Sequence, residues 1–182
     1  EVFELLQKHP NLVSETAIEI LSQHFPTTVF EDILGSVGLD IQFDQAVRRK
    51  RDPEFRERIL IAYEYRCAVC GYDLRMGSQN VALEAAHIKW HVAGGPDLET
   101  NGLALCSMHH KLFDLGAFAV IDDFSLRVSQ KANGTTGLSE WLMMFHGRLL
   151  RKAQSEGWRP SLEYLQWHRD EVFHGPVREL VT

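Results

Sequence analysis

Apolar residues recur along this chain in two rhythms, and each predicts a different kind of element. Helical spacing dominates the first forty residues. It predicts one short helix over Val2 to Lys8, a second over Thr16 to His24 capped by Ser14 and stopped by Pro26, and a third over Thr28 to Leu34 ended by Gly35 and Gly38. The next helix has the clearest start: Asp52 as N-cap, Pro53 at the first helical position and Glu54 near the positive dipole end. Phe55, Ile59, Ala62 and Tyr63 give it an apolar stripe through Tyr65. The rhythm then shortens. Val81 to Ile88 and Leu103 to Leu105 read as two strands separated by a loop holding Gly94-Gly95-Pro96, and Ser107 to Phe113 reads as a short helix. Ala117 to Ile121 and Leu126 to Ser129, joined through Asp122-Asp123, form a hairpin pattern. The tail returns to helical spacing, with stripes Trp141, Leu142, Phe145, Leu149 and then Leu162, Leu165, Val172. This order predicts an α+β fold: a small ββα centre flanked by helices and a β-hairpin. It divides into a helical region over 1–50 and a second domain over 51–182.

Composition changes that picture little. Hydrophobic residues make up 45% and charged residues 24%, as in ordinary globular chains, and no run nears the roughly 18 apolar residues of a membrane span. The chain begins at Glu1 rather than Met and opens on no signal peptide, so a cytoplasmic fragment with further sequence upstream is the expectation. The net charge of −6 argues against a nucleic-acid partner, but it is unevenly spread. Arg48, Arg49, Lys50, Arg51, Arg56 and Arg58 stand together against Asp52, Glu54 and Glu57. Such a stretch is either a solvated helix face or a phosphate-contacting surface.

Candidate chemistry concentrates in the ββα centre. The chain has three cysteines, an odd count confined to residues 67–106, which suits thiolates for metal better than a disulfide framework. Cys67-x-x-Cys70 and Cys106-x-x-His109 are two half-sites with 35 residues between them, and together they supply four tetrahedral ligands for zinc. Four protein ligands leave no open position, so this zinc is structural. A redox role for Cys67 and Cys70 fits poorly with a partner half-site that carries His109. Near the staple lie His87, Asn101 and His110. Phosphodiester hydrolysis needs a base, a group to orient it and a cation for developing charge, and these residue types can supply those roles.

The runs Leu83-Glu84-Ala85-Ala86-His87-Ile88 and Asn101-Gly102-Leu103-Ala104-Leu105-Cys106-Ser107-Met108-His109-His110-Lys111-Leu112-Phe113-Asp114 resemble the HNH, or ββα-metal, nuclease superfamily. More narrowly they are similar to the HNH nucleases of modification-dependent restriction enzymes, especially those that recognise phosphorothioated DNA through a separate sulfur-binding domain. The motif covers residues 67–118, and Arg51 to Arg56 and Trp167-His168 extend the likeness. The resemblance implies that His87 is the general base, Asn101 the residue that orients it, and His110 a ligand of a catalytic Mg2+, Mn2+ or other divalent ion. It assigns Cys67, Cys70, Cys106 and His109 to structural zinc. It further implies a double-stranded, modified DNA substrate, an upstream recognition domain outside this chain, and a homodimer for cutting both strands. Arg48, Arg49, Lys50, Arg51, Lys89 and Lys111 are the expected DNA contacts. One departure stands out: where many such nucleases carry a metal-binding Asp or His before the base, this chain has Ala86. Glu84, His91, Asp97 or Asp114 are the candidates to replace it; alternatively His110, water and the substrate phosphate hold the ion alone. A non-catalytic zinc-bound DNA- or protein-binding module on the same scaffold is the alternative.

Overall fold

The computed structural model describes residues 6, 9–39, 41 and 52–179. Contacts divide the chain into two units, Glu1–Arg51 and Asp52–Thr182. In the first, helix α1 (Pro10–His24), a 3-10 turn (Thr27–Val29) and helix α2 (Phe30–Ser36) bury Leu21, Phe30 and Leu34 against Ala17 and Ile18. Helix α1 begins earlier than the Ser14 cap predicts, because Pro10 already fits the first turn, where its missing N–H costs nothing. Gly35 lies within α2, and Gly38, at φ +72°, takes the left-handed turn that follows it. Apart from Leu6, the helix expected over Val2 to Lys8 lies outside the described residues.

The second unit opens with helix α3 (Pro53–Ala62), whose N-cap Asp52 accepts the Glu54 amide at 2.9 Å. It ends three residues before the expected Tyr65, since Glu64 and Tyr65 turn left-handed at φ 55° and 54°. A hairpin of strands β1 (Arg75–Met76) and β2 (Gln79–Asn80) follows. Periodicity gave no sign of it, because its residues do not alternate apolar and polar. Strands β3 (Leu83–His87) and β4 (Gly102–Cys106) pair antiparallel, with Leu83 opposite Cys106 and His87 opposite Gly102. Helix α4 (Ser107–Asp114) follows directly, completing the ββα unit. Strands β5 (Phe118–Val120) and β6 (Leu126–Val128) form the predicted hairpin.

Every residue of β4 is buried, and α3 packs across both β3 and β4. Phe55, Ile59, Leu103, Leu105, Phe113 and Phe118 form the centre of this core, each contributing about 1.5–3 kcal/mol through burial. The approach of α3 to β4 requires Gly102: a Cβ there would stand 2.2 Å from Ile59 Cδ1. The tail departs from expectation. The stripe from Trp141 to Leu149 is not one helix but a short helix α5 (Thr136–Trp141), a 3-10 turn (Met143–Phe145) and a left-handed Gly147 at φ +76°. Leu142 is buried while Leu149 is 65% exposed. Helix α6 (Leu162–Glu171) closes the unit and carries Leu165 into the core. Among the described residues no helix is long and apolar enough to cross a membrane.

Candidate active site and metal centre

Cys67 and Cys70 sit on a knuckle closed by Gly71 N–H to Cys67 O and Cys67 N–H to Tyr72 O, both 2.9 Å. Gly71 takes φ +76°, and Ala68 N–H donates to Ala104 O at 2.7 Å, which docks the knuckle on β4. Cys106 ends that strand and His109 lies one helical turn later. The ligand atoms of Cys67, Cys70, Cys106 and His109 all lie within 4.8 Å of one another. The spacings test the fit of an ion. Cys70 Sγ is 3.9 Å from Cys106 Sγ, and His109 Nδ1 is 3.1 Å from Cys106 Sγ and 3.7 Å from Cys67 Sγ. A zinc–sulfur bond of about 2.3 Å gives a tetrahedral sulfur–sulfur edge of about 3.8 Å. His109 Nε2–H donates to Trp141 O at 2.9 Å, which fixes the tautomer and turns Nδ1 toward the thiols. Hydrogen bonds from Cys106 and Cys70 hold the Cys67 thiol far below its ordinary range, so it favours the thiolate that binds metal. All three cysteines are free thiols. The four side chains can hold a metal ion.

His87, at the end of β3, is 6% exposed and stacks on Phe55 of α3 with ring centroids 4.1 Å apart. Its Nε2–H points at Asp97 Oδ1, 2.7 Å away. The His91 ring stands edge-on to it at 5.7 Å, with Nε2 3.9 Å from the other Asp97 oxygen. Asn101 does not meet the His87 ring as expected. It lies just before β4, where its carbonyl accepts Ile88 N–H at 3.0 Å in continuation of the strand pairing. Its side chain accepts Lys89 N–H at 2.8 Å and donates to Lys89 O at 3.0 Å and Pro96 O at 2.9 Å. Asn101 thus clamps both ends of the loop between Lys89 and Pro96, and so sets the spacing between His87 and Asp97. Gly95 is required inside the clamp, since a Cβ there would fall 1.8 Å from Lys89 O.

His110, on α4, faces away from the thiol cluster. Its Nδ1 lies 2.5 Å from Glu84 Oε2, and its Nε2 lies 3.3 Å from Asp114 Oδ2. Ser107 Oγ–H donates to the second Glu84 oxygen at 2.8 Å, and Trp90 Nε1–H donates to the second Asp114 oxygen at 3.2 Å. Burial alone would lower the His110 pKa, but the Asp114 and Glu84 carboxylates outweigh it and raise it to about 9. Ala86, two residues after Glu84 on β3, is fully buried and offers no ligand. Behind α4, His168 of α6 stacks on Phe113 with centroids 3.7 Å apart and donates Nε2–H to Phe113 O at 3.1 Å. Among the expected DNA contacts, Lys89 and Lys111 are half-buried in the second unit. Arg48, Arg49, Lys50 and Arg51 lie outside the described residues. The sequence motif did not reveal the base-stacking Phe55, the Asn101 loop clamp or the carbonyl of Trp141 behind His109. The Gly94-Gly95-Pro96 run was the available sign of a constrained loop.

A thiol–imidazole knot and a carboxylate–imidazole centre on one ββα unit define a class. Residues 67–121 match the family model described as HNH endonuclease. Among solved structures the chain is similar to one described as a modification-dependent TagI restriction endonuclease, at 23% identity and a TM-score of 0.48. The match covers 72% of this chain and 44% of that one, so this chain spans under half of its length. No curated protein matches.

Proposed function

We propose that the chain is the cleavage module of a restriction enzyme and cuts DNA with His87 as general base. The observation that carries this reading is the His87–Asp97 pair at 2.7 Å, held by the Asn101 clamp and stacked on Phe55. An Nε2–H given to a carboxylate makes Nδ1 the basic nitrogen and favours the imidazolium formed once it takes a proton. His87 would therefore remove a proton from a water molecule as its oxygen bonds to phosphorus, with Asp97 holding the ring throughout, while the P–O bond to the leaving sugar oxygen breaks and that oxygen takes a proton from solvent. His110 Nε2 and Asp114 Oδ2, 3.3 Å apart, fit adjacent ligands of an octahedral ion, whose edge is about 3.0 Å for bonds of about 2.1 Å. Glu84, bonded to the opposite ring nitrogen, then orients His110 rather than binding the ion itself. A divalent ion held there supplies charge stabilisation for the phosphate oxygens.

Cys67, Cys70, Cys106 and His109 hold zinc in this reading, and that zinc is structural because four protein ligands close the site. The direction toward modified, phosphorothioated DNA, a recognition domain outside this chain, assembly as a homodimer and phosphate contacts by Lys89 and Lys111 rest on the motif resemblance. The chain on its own should then cut weakly and with little preference for modified DNA. Plasmid nicking with added magnesium or manganese tests the main assignment. His87→Ala should lower the rate by about 10²–10⁴-fold while zinc content and melting temperature stay unchanged. Full activity in that variant would remove His87 from the role of base. Absence of nicking by the parent chain under either ion, with DNA still bound, would favour a non-catalytic binding module.

A further inference from the structure

We infer that Arg58 is a positioning residue for cleavage, acting through Asp97 rather than through contact with DNA. This rests on the reading of His87 and Asp97 as the proton-accepting pair. Arg58 belongs to the basic stretch whose residues count as candidate phosphate contacts from sequence. In the fold its guanidinium is occupied. Nη2–H donates to Asp97 O at 2.8 Å, Nε faces Glu99 Oε1 at 2.9 Å, and Nη1 faces Asp52 Oδ2 at 3.2 Å. Three acceptors on two sequence segments engage all three guanidinium nitrogens, and Glu54 adds a third carboxylate at 3.8 Å. These bonds fix the plane of the fork against the loop and leave a phosphate only the N–H groups that they do not use.

The partners explain the role. Asp52 caps α3, Glu99 opens the 3-10 turn that ends at Asn101, and Asp97 holds the His87 ring. Phe55, one helical turn before Arg58, stacks on that same ring. Helix α3 therefore fixes His87 from its face through Phe55 and fixes the Asp97 backbone through Arg58. The Asn101 clamp holds the loop at Lys89 and Pro96, and Arg58 holds the next residue along. A planar fork with fixed donor directions suits this bridge, and a lysine ammonium cannot span the same three acceptors in one plane.

The test is a kinetic comparison of the full chain with Arg58→Ala, Arg58→Lys, Asp97→Ala and the Arg58→Ala/Asp97→Ala pair, using plasmid nicking and His87→Ala as reference. Arg58→Ala should lower kcat by about 10–100-fold, the scale set by misplacing a reacting group, with KM changed less than about threefold. Arg58→Lys should fold like the parent and recover only part of that loss. The double variant should be no slower than Asp97→Ala, because residues that act through one another are not additive. Multiplying effects in the double variant, or a rise in KM with kcat intact, would overturn the inference and make Arg58 a DNA contact. If Arg58→Ala loses zinc or melts early, Arg58→Lys carries the test, and a full kcat in that variant overturns it. Full activity in His87→Ala is a separate result, which defeats the reading of the pair and not the geometry of Arg58.

Discussion

His109 and His110 are neighbours on one helix, yet they serve two regions built on opposite principles. His109 turns toward three sulfurs, with its far nitrogen on the Trp141 carbonyl. His110 turns about a hundred degrees away, toward two carboxylates. The first region is a closed set of soft ligands that ties the Cys67 knuckle and the end of β4 to one point, with the last residue of α5 behind His109. The second is a row of imidazole–carboxylate pairs, His87 with Asp97 and His110 with Glu84 and Asp114. The difference teaches that adjacent residues of one chemical type can be assigned to separate roles by their far nitrogens. One meets a backbone carbonyl, the other a carboxylate.

The hardest test of this division is to strip the knot. The strands it joins are short: β3 and β4 have five residues each, and β1 and β2 have two. Elements of that length bury little by themselves, so a structural zinc is worth about 10 kcal/mol to a small domain of this kind. Removing it with a chelator, or Cys106→Ser, should abolish the cooperative melting of the second unit and all nicking together. Measured zinc per chain and thermal melting check this. Nicking that disappears on mild chelation and returns with magnesium while zinc and melting are unchanged would instead report the second region. A stripped protein that keeps its fold would break the division.

Much of this arrangement was legible in the chain itself. Cys67-x-x-Cys70 and Cys106-x-x-His109 announce the knot because metal geometry limits spacing, and few other chemistries place cysteines that way. The Asp52-Pro53 start of α3, the β3–β4 pair and the hairpin near 118–128 were visible because local rules determine them. What stayed hidden depends on approach between distant segments. Asn101 was expected on the His87 ring, yet strand pairing places it one residue too far and commits its amide to the loop backbone. Glu84 seemed a candidate ligand, but its orientation toward His110 and Ser107 arises only when β3 meets α4. The stripe at 141–149 has helical spacing, but Gly147 and the path of Leu150 toward Phe124 break it.

A second and smaller effect separates the support behind α4 from the knot in front of it. His168 is buried, and that burial depresses its pKa to about 4. The unfolded chain takes up this proton near pH 6.5 and the folded chain only near pH 4, so the contribution is fully present above about 6.5 and declines as pH falls between those values. The linked loss is about 3 kcal/mol at most. Denaturant unfolding at pH 7 and pH 4.5 should show a smaller fall in stability for His168→Leu than for the parent. Whatever else acid changes is common to both proteins, so the difference between them isolates His168. Equal slopes would mean that it titrates normally or stays neutral in both states.

The smallest expected effect lies in the carboxylates around His110, and it tests the chemistry of the second region directly. In the absence of an ion, His110 keeps its proton up to about pH 9 because Asp114 and Glu84 outweigh its burial. An ion bound at Nε2 must displace that proton, so the concentration of magnesium or manganese needed for half-maximal nicking should fall as pH rises from 7 toward 9. Glu84→Gln keeps the side-chain shape and removes the charge that orients the ring, and it should raise that concentration by about 10-fold. Asp114→Asn removes a proposed direct ligand and should raise it further, with zinc content unchanged in both. The order of the two variants is the decisive reading. If Glu84→Gln is the more damaging, Glu84 is itself the ligand that compensates for Ala86. The ion would then lie on the β3 side of His110 rather than along α4.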